Sequence, residues 1–442
     1  MRSSSSPLRA VKGMNDVLPE EVARWQQVER LYRETMALHG FRELRTPLVE
    51  PTALFVGAIG EDTDVVGKEM YSFEHGGDAL TLRPEGTAGA ARAYVEHAVH
   101  TKEPVTRWWY AGPMFRAERP QRGRYRQFHQ VGAEVFGDEG PGVDAEMIDM
   151  LVSLLAALRV PEVEVLVNSL GGAGARERHR AELVAFLRDK APQLTEDSRR
   201  RLEQNPLRIL DSKDERDREA VRGAPSIQDF FDDDDRAHFA RLRSYLDALG
   251  TPYKVDPGLV RGLDYYTRTL FEIKGAHAKL GAGSTLLGGG RYDTMVAGLG
   301  GPPVPAIGFA AGLERLLIAS DDSAASSAVD ALVASLGEAC TAPALALARD
   351  LRKAGVRTQA DTRGGSLKSQ LRRANALGAK VVLILGESEI AEGVVQVKDL
   401  DGRTQERMTP ADAVRAVAAR VAGSVSSEPM APVPPPAEGS SE

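Results

Sequence analysis

Residues 259–273 read Leu-Val-Arg-Gly-Leu-Asp-Tyr-Tyr-Thr-Arg-Thr-Leu-Phe-Glu-Ile, which suits neither a plain core strand nor a surface loop. Arg261, Asp264, Tyr265 and Tyr266 set four polar tips inside an apolar frame of Leu259, Leu263, Leu270 and Phe271. A buried guanidinium needs a partner for its fork of donors, and a carboxylate fits that fork best. Adjacent tyrosines in an extended segment point to opposite faces, so one lines a pocket while the other packs. The block reads as the floor of a site for a small ligand carrying a carboxylate and a polar ring.

A second set runs from Met114 to Glu134. Arg116 and Glu118 end one extended segment, and Arg119, Gln121, Arg122, Arg124 and Arg126 fill a basic loop. On the return segment, Phe128, Gln130, Gly132 and Glu134 share one face by the two-residue period of a strand. An arginine for a phosphate, a nearby carboxylate for Mg2+ and an aromatic ring for a base form a nucleotide-activating set. Taken alone, the same residues also suit an arginine-rich hairpin with surface ion pairs. In Gly308-Phe-Ala-Ala-Gly-Leu-Glu-Arg315, the two glycines allow close backbone approach and Arg315 opens a helix. In Thr81-Leu-Arg-Pro-Glu-Gly-Thr-Ala88, Glu85 and Thr87 offer acceptors to an ammonium. No G-x-x-x-x-G-K-[ST] run is present, so ATP would not be held by a P-loop. Gly171–Gly174 and Gly281–Gly290 read as turns and close packing. His97 and His100 lack a third metal ligand and read as part of a surface helix.

These residues need elements to position them. Trp25–His39 has helical periodicity and stops at Gly40, and Phe41–Pro51 is extended with a break at Pro47. The runs on either side of the basic loop, within 104–136, predict an antiparallel pair. Asp144–Leu158 is an amphipathic helix. Residues 171–250 are rich in charged helix formers broken by Pro192, Pro206 and Pro225, and read as a helical insertion; Asp232–Asp235 is a solvated or helix-start run. Extended structure returns at Tyr253–Asp256 and continues through the tyrosine block, and Ile307–Ile318 passes from strand into helix. After a small, polar linker at Asp321–Ala328, strands and helices alternate. They are expected at Ala331–Leu336, Ala342–Ala354, Val356–Ala360, Leu367–Leu377, Val381–Leu385, Val394–Lys398 and Pro410–Val421, as an α/β domain with a largely parallel sheet. The Ser/Pro/Glu-rich residues after Gly423 are expected to be disordered.

Bulk properties limit the classes. The 442 residues allow two to four domains, and 42% hydrophobic with 27% charged residues is ordinary globular composition. No apolar run reaches the roughly 18 residues of a membrane span, and Met1–Ala10 has no apolar core of a secretory signal. A single cysteine, Cys340, excludes an intramolecular disulfide and a cysteine-rich zinc site, which favours a cytoplasmic location. The net charge of −7 argues against a protein that coats nucleic acid. Basic clusters at Arg116–Arg126 and Arg363–Lys380 still allow RNA contact at defined places.

The quoted stretches resemble known motifs in a known order. Met114–Glu134 matches motif 2 of the class II aminoacyl-tRNA synthetases, Gly308–Arg315 matches motif 3, and Phe41–Pro51 resembles motif 1, which builds the dimer interface in that class. The 259–266 block closely resembles the signature block of histidyl-tRNA synthetases. The resemblance runs from about Val11 to Val421. It implies an α+β catalytic core with an antiparallel sheet, a helical insertion, and a separate C-terminal α/β anticodon-binding domain. The implied boundaries are 1–170 and 251–322 for the core, 171–250 for the insertion, 329–422 for the anticodon-binding domain and 423–442 for a tail. It further implies a homodimer that charges tRNA(His) with L-histidine, using ATP and Mg2+. By the same resemblance, Glu85, Thr87 and Gln130 hold the ammonium of histidine, and Arg261 meets its carboxylate and the α-phosphate. Glu134 and Tyr266 address the two imidazole nitrogens, with Tyr265 in support. Arg116 contacts the α-phosphate, Phe128 and Arg315 sandwich adenine, Glu118 helps to place Mg2+, and Arg119 and Gln121 face the tRNA acceptor end. Regulatory subunits of histidine biosynthesis share this fold. They typically lack the anticodon-like domain and part of the arginine set, whereas Arg116, Arg261, Arg315 and residues 329–422 are all present here.

Overall fold

The computed structural model describes residues 8–61, 63–210, 212, 214–260, 263, 265–275, 280, 285–320 and 329–425. Their contacts form two compact units that divide between residues 320 and 329. In the first, helix α1 (Pro19–Leu38) begins at Pro19 rather than Trp25. Proline fits the first helical position, and Glu20 and Glu21 complement the amino end of the helix dipole. The extended stretch that follows is two short strands, β1 (Arg42–Glu43) and β2 (Val49–Pro51), and leads into α2 (Thr52–Ile59). Strands β3 (Tyr71–His75) and β4 (Asp78–Leu82) turn at Gly76 and Gly77, both with positive φ, and β4 lies between β3 and β2 in a small sheet. Helix α3 (Thr87–Glu96) ends before His97 and His100, so these histidines do not share a helical turn.

The main sheet is built next. Strands β5 (Thr106–Phe115) and β6 (Gln127–Phe136) pair antiparallel over their whole length, from Thr106 opposite Phe136 to Phe115 opposite Gln127. After α4 (Pro141–Ala157) comes β7 (Val163–Ser169), followed by α5 (Ala173–Arg188), α6 (Glu196–Gln204), α7 (Glu215–Ala220) and α8 (Asp233–Leu249). The remaining elements of this unit are β8 (Lys254–Val255), β9 (Thr267–Gly275), β10 (Thr285–Arg291), α9 (Met295–Gly298), β11 (Ala306–Gly312) and α10 (Leu313–Ala319). The eight-stranded order is β1-β5-β6-β11-β10-β9-β7-β8. Only the end pairs β1–β5 and β7–β8 are parallel, so the expected antiparallel core is present. Tyr32 pins α1 to this sheet by donating to the Gly132 carbonyl at 2.7 Å.

Three local expectations need correction. The tyrosine block is not strand: β9 starts at Thr267, and Tyr265 sits in a turn. Of the glycine-rich run, 285–290 is strand, and Gly289 is required there because a Cβ would fall 2.2 Å from the Gly308 carbonyl oxygen; residues 281–284 lie outside the description. Residues 171–250 do not form one body. Leu183, Leu187, Leu194, Leu202, Ile209 and Ala220 make a small core of their own, while Phe239, Leu242 and Leu246 of α8 join the main core. The acidic run starts α8 as expected, with the Asp232 carboxylate accepting from Asp235 N, but Asp235 is itself buried and accepts from Gly172 N at 2.8 Å.

The second unit holds β12 (Ala331–Leu336), α11 (Thr341–Lys353), β13 (Thr358–Asp361), α12 (Leu367–Ala376), β14 (Val381–Gly386), α13 (Glu387–Ala391), β15 (Val395–Asp399), β16 (Gln405–Met408) and α14 (Pro410–Val425). Its order is β13-β12-β14-β15-β16. Only β13, β12 and β14 run parallel; β15 and β16 form an antiparallel hairpin, so the sheet is mixed rather than largely parallel. Gln405–Met408 has no apolar run to announce a strand. Alternation along β12 sends Ala331 and Val333 into one core and Leu332 and Ala334 into another. The expected linker at Asp321–Ala328 and the tail beyond Val425 lie outside the described residues. Among the described residues no helix is long and apolar enough to cross a membrane.

Candidate active site

One cavity of about 740 Å³ gathers Glu85, Thr87, Arg116, Glu118, Phe128, Gln130, Tyr265, Tyr266 and Arg315 on its wall. These come from four stretches far apart in sequence; β6 pairs with β5 and β11, and β11 pairs through β10 with β9, which the tyrosines precede. Arg261 and Asp264 lie outside the described residues. Arg119 and Gln121 are exposed on the loop between β5 and β6, away from the cavity wall. Glu134 is also absent from that wall: it has no exposed surface and sits one layer behind it.

Glu134 is the most constrained group. Its Oε1 accepts from Thr87 Oγ1 at 2.8 Å and Tyr110 OH at 3.0 Å, and its Oε2 accepts from Tyr292 OH at 2.5 Å. Burial pushes its carboxyl up to about 8, and the Tyr292, Thr87 and Tyr110 hydroxyls pull it down. Space for it comes from a missing side chain, because a Cβ on Gly308 would fall 1.5 Å from Oε2. Similarly, a Cβ on Gly132 would meet Tyr110 OH at 2.5 Å.

Glu85 caps α3, accepting from Thr87 N at 2.7 Å and Ala88 N at 2.9 Å. Burial raises its pKa, which these two backbone bonds partly offset. Beside it, Gln130 is 9% exposed and its Oε1 is buried without a hydrogen-bond partner among the described residues. An orphaned acceptor next to a buried carboxylate suits a cationic donor such as an ammonium. Tyr265 and Tyr266 do not face opposite ways: their ring centroids are 4.6 Å apart and both line the cavity. Because β9 starts only at Thr267, after a turn at Tyr265, the two tyrosines lack the strand alternation that would send them to opposite faces.

The opposite end is cationic and aromatic. The Arg116 guanidinium stands 5.4 Å from the Phe128 ring centroid, and its Nε donates to the Pro84 carbonyl at 2.9 Å. Arg315 Nε donates to the Thr285 carbonyl at 2.6 Å. Its pKa is lowered, first by burial and then by Arg124. Glu118 lies 3.6 Å from Arg124, and the pKa of nearby Glu69 is raised by burial and by the Glu118 charge. Such a site can hold a polyanion with a planar base against arginines and a ring.

Sequence reasoning missed Tyr110, Tyr292, Glu69 and Glu314. Glu314 accepts from the His129 backbone N at 2.9 Å and contacts its Nδ1 at 3.1 Å, which locks β6 beside Phe128 and Gln130. Glu314 stood within the quoted motif 3 stretch; Tyr110 had only its place in a strand, opposite Gly132, as a signal.

A family model described as histidyl-tRNA synthetase matches residues 13–316, and one described as an anticodon binding domain matches residues 330–420. The histidine–tRNA ligase of Sorangium cellulosum (strain So ce56) is 60% identical over 413 residues, covering 93% of this chain and 96% of its own. That of Alkalilimnicola ehrlichii (strain ATCC BAA-1101 / DSM 17681 / MLHE-1) is 50% identical over 408 residues, covering 91% and 94%. Among solved structures, apo S. aureus histidyl-tRNA synthetase superposes with a TM-score of 0.79 at 32% identity, covering 93% of this chain and 100% of its own. With matches along nearly its whole length, the chain belongs to the histidyl-tRNA synthetase family.

Proposed function

We propose that this chain attaches L-histidine to tRNA(His) in two steps, through a histidyl-adenylate, releasing pyrophosphate and then AMP. The observation that carries this reading is the match over 93% of the chain to a histidine–tRNA ligase at 60% identity. The cavity supplies a chemistry that agrees with it. In the first step a carboxylate oxygen of histidine attacks the α-phosphorus of ATP, so two anions must approach. Arg116 and Arg261 offset that charge, and positioning with charge stabilisation does most of the work. Phe128 and Arg315 hold adenine. Glu85, Thr87 and Gln130 Oε1, which has no partner among the described residues, receive the ammonium. Glu134 and Tyr266 address the imidazole nitrogens, with Tyr265 behind them. A site that hydrogen-bonds both ring nitrogens leaves buried groups unpaired with an apolar isostere, which gives roughly 10⁴–10⁵ discrimination without editing.

Glu118 and Glu69 fit a divalent ion carried by ATP, since their mutual repulsion is what such a cation relieves. When bound, Mg2+ neutralises phosphate charge. Arg119 and Gln121 meet the acceptor end of the tRNA, and residues 329–422 meet its anticodon. Residues 1–170 and 251–322 act as the catalytic core, to which α8 adds its apolar face, and the remainder of 171–250 acts as the insertion. The chain works in the cytoplasm as a homodimer paired through the motif 1 region, where Leu48 and Val49 are exposed apolar side chains, with Phe73 exposed on β3 of the small sheet that β2 joins. The test is ATP–pyrophosphate exchange with each of the standard amino acids. Exchange is expected with histidine alone; exchange with threonine, proline or glycine instead would contradict the reading.

A further inference from the structure

The loop between β5 and β6, residues 116–126, is held by different partners on its two limbs. On the outgoing limb, Arg116 N donates to the Arg126 carbonyl at 2.9 Å and Ala117 N donates to the Glu69 carbonyl at 2.7 Å. The returning limb is held from the start of the chain. Arg126 N donates to the Gly13 carbonyl at 2.7 Å, and Gln127 N reaches the same oxygen at 3.3 Å. The Arg126 guanidinium also donates through Nη1 to the Lys12 carbonyl at 3.5 Å. Residues 11–14 form a turn closed by Met14 N on the Val11 carbonyl at 2.9 Å, with Gly13 in its third place at a φ of 85°. A positive φ in that place of a turn suits glycine. Space makes the same demand: a Cβ on Gly13 would fall 2.8 Å from Pro120 Cγ and 3.1 Å from Arg126 Cγ. Gly13 is thus wedged against the returning limb and against the proline that separates Arg119 from Gln121.

The two functional parts of this loop differ in what fixes them. Arg116 is held from outside the loop, by the Pro84 carbonyl at 2.9 Å and by the Phe128 ring at 5.4 Å. Arg119, Gln121, Arg122 and Arg124 are exposed, and the tip closes on itself through backbone bonds of 3.0 and 2.9 Å between Gln121 and Arg124. The height of that tip is set through Pro120 and Arg126, and both rest on Gly13. We propose that residues 11–14 are a positioning strap for the part of the loop that bears Arg119 and Gln121, with Gly13 as its contact point, and that the strap serves transfer to tRNA rather than formation of the adenylate. The inference rests on the reading of Arg119 and Gln121 as contacts to the acceptor end and deepens it, because it names what holds them in place. Moving the strap shifts the exposed tip and leaves Arg116 on its own anchors.

The test compares two reactions of the full-length protein: histidine-dependent ATP–pyrophosphate exchange, and transfer of histidine to tRNA(His). Displacements of about 1 Å are enough to cost a positioned reaction one to two orders of magnitude. In Gly13→Ala, kcat/KM for tRNA(His) is therefore expected to fall about ten- to hundredfold, with kcat/KM for ATP and histidine in exchange within about threefold. Limited trypsin cleavage after Arg122 and Arg124 is expected to become faster in the same variant. Adding Pro120→Ala removes the Cγ that the new methyl meets, so the double variant is expected to regain part of the lost transfer. Unchanged transfer in Gly13→Ala would overturn the proposal. An equal fall in exchange and transfer would overturn it too, since that is what a general loss of structure gives, and so would a double variant that regains nothing. Exchange without transfer in the unaltered protein defeats the reading of tRNA charging and takes this inference with it. Normal charging in the unaltered protein together with an unaffected Gly13→Ala removes the inference alone.

Discussion

A carboxyl with no exposed surface is tolerated only where donors surround it, and Glu134 has three hydroxyls within 3.0 Å. Its side chain ties α3, β5, β6 and the end of β10 to one point, so its removal should strike the ligand pocket harder than the fold. Glu134→Ala is expected to abolish histidine-dependent exchange while leaving a folded dimer, measured by exchange alongside circular dichroism and sedimentation. Exchange like that of the unaltered protein would rule out Glu134 as the ring acceptor. At this scale the sequence was informative where a motif keeps its residues close together: Glu85 with Thr87, and Phe128 with Gln130, reach one cavity. Tyr110 and Tyr292 were not legible, because their importance depends on which glycines oppose them. Gly132 lies opposite Tyr110 and Gly308 opposite Glu134 only through the register of β5, β6 and β11. Register is a property of paired strands and is not written in either strand alone.

Elements carry their own electrostatic constraints, and α8 shows one clearly. His238 on α8 is buried 3.8 Å from Asp144, and neither ring nitrogen has a hydrogen-bond partner among the described residues. Asp144 is already committed to Arg291 and Thr269, both buried with it. Burial, and then Arg291, Arg268 and Arg241, push His238 down to about 3 from its ordinary 6.5. Between those values the unfolded chain takes up a proton that the folded chain refuses, so stability falls as the pH drops through that window. His238→Gln is expected to weaken this acid dependence, read as a smaller difference between urea midpoints at pH 7 and pH 5. An identical pH dependence in the variant would show that His238 does not titrate in this way. The charged composition of 171–250 concealed the membership of α8 in the main core. Its apolar face is sparse, and only its packing against α4 shows that Phe239, Leu242 and Leu246 belong there. Likewise, β16 has no apolar pattern because it edges the sheet, pairing on one side only with β15.

On the scale of the whole molecule, each unit has its own core, and the two family models divide between them: residues 13–316 and 330–420. The alternation of strands and helices after residue 329 revealed the second unit, although the direction of its last two strands depended on a hairpin turn too polar to stand out. An activating site joined to an RNA-reading unit makes sense only if the activated amino acid is handed on. A protein of this fold that merely binds histidine would stop at the first step or before it. The most direct measurement is therefore the transfer of labelled histidine to tRNA(His) by the purified full-length chain, with ATP and Mg2+ present. Histidyl-tRNA(His) is expected to form, with no charging when another amino acid or another tRNA is supplied. Histidine binding or exchange without any transfer to tRNA(His) would contradict the account.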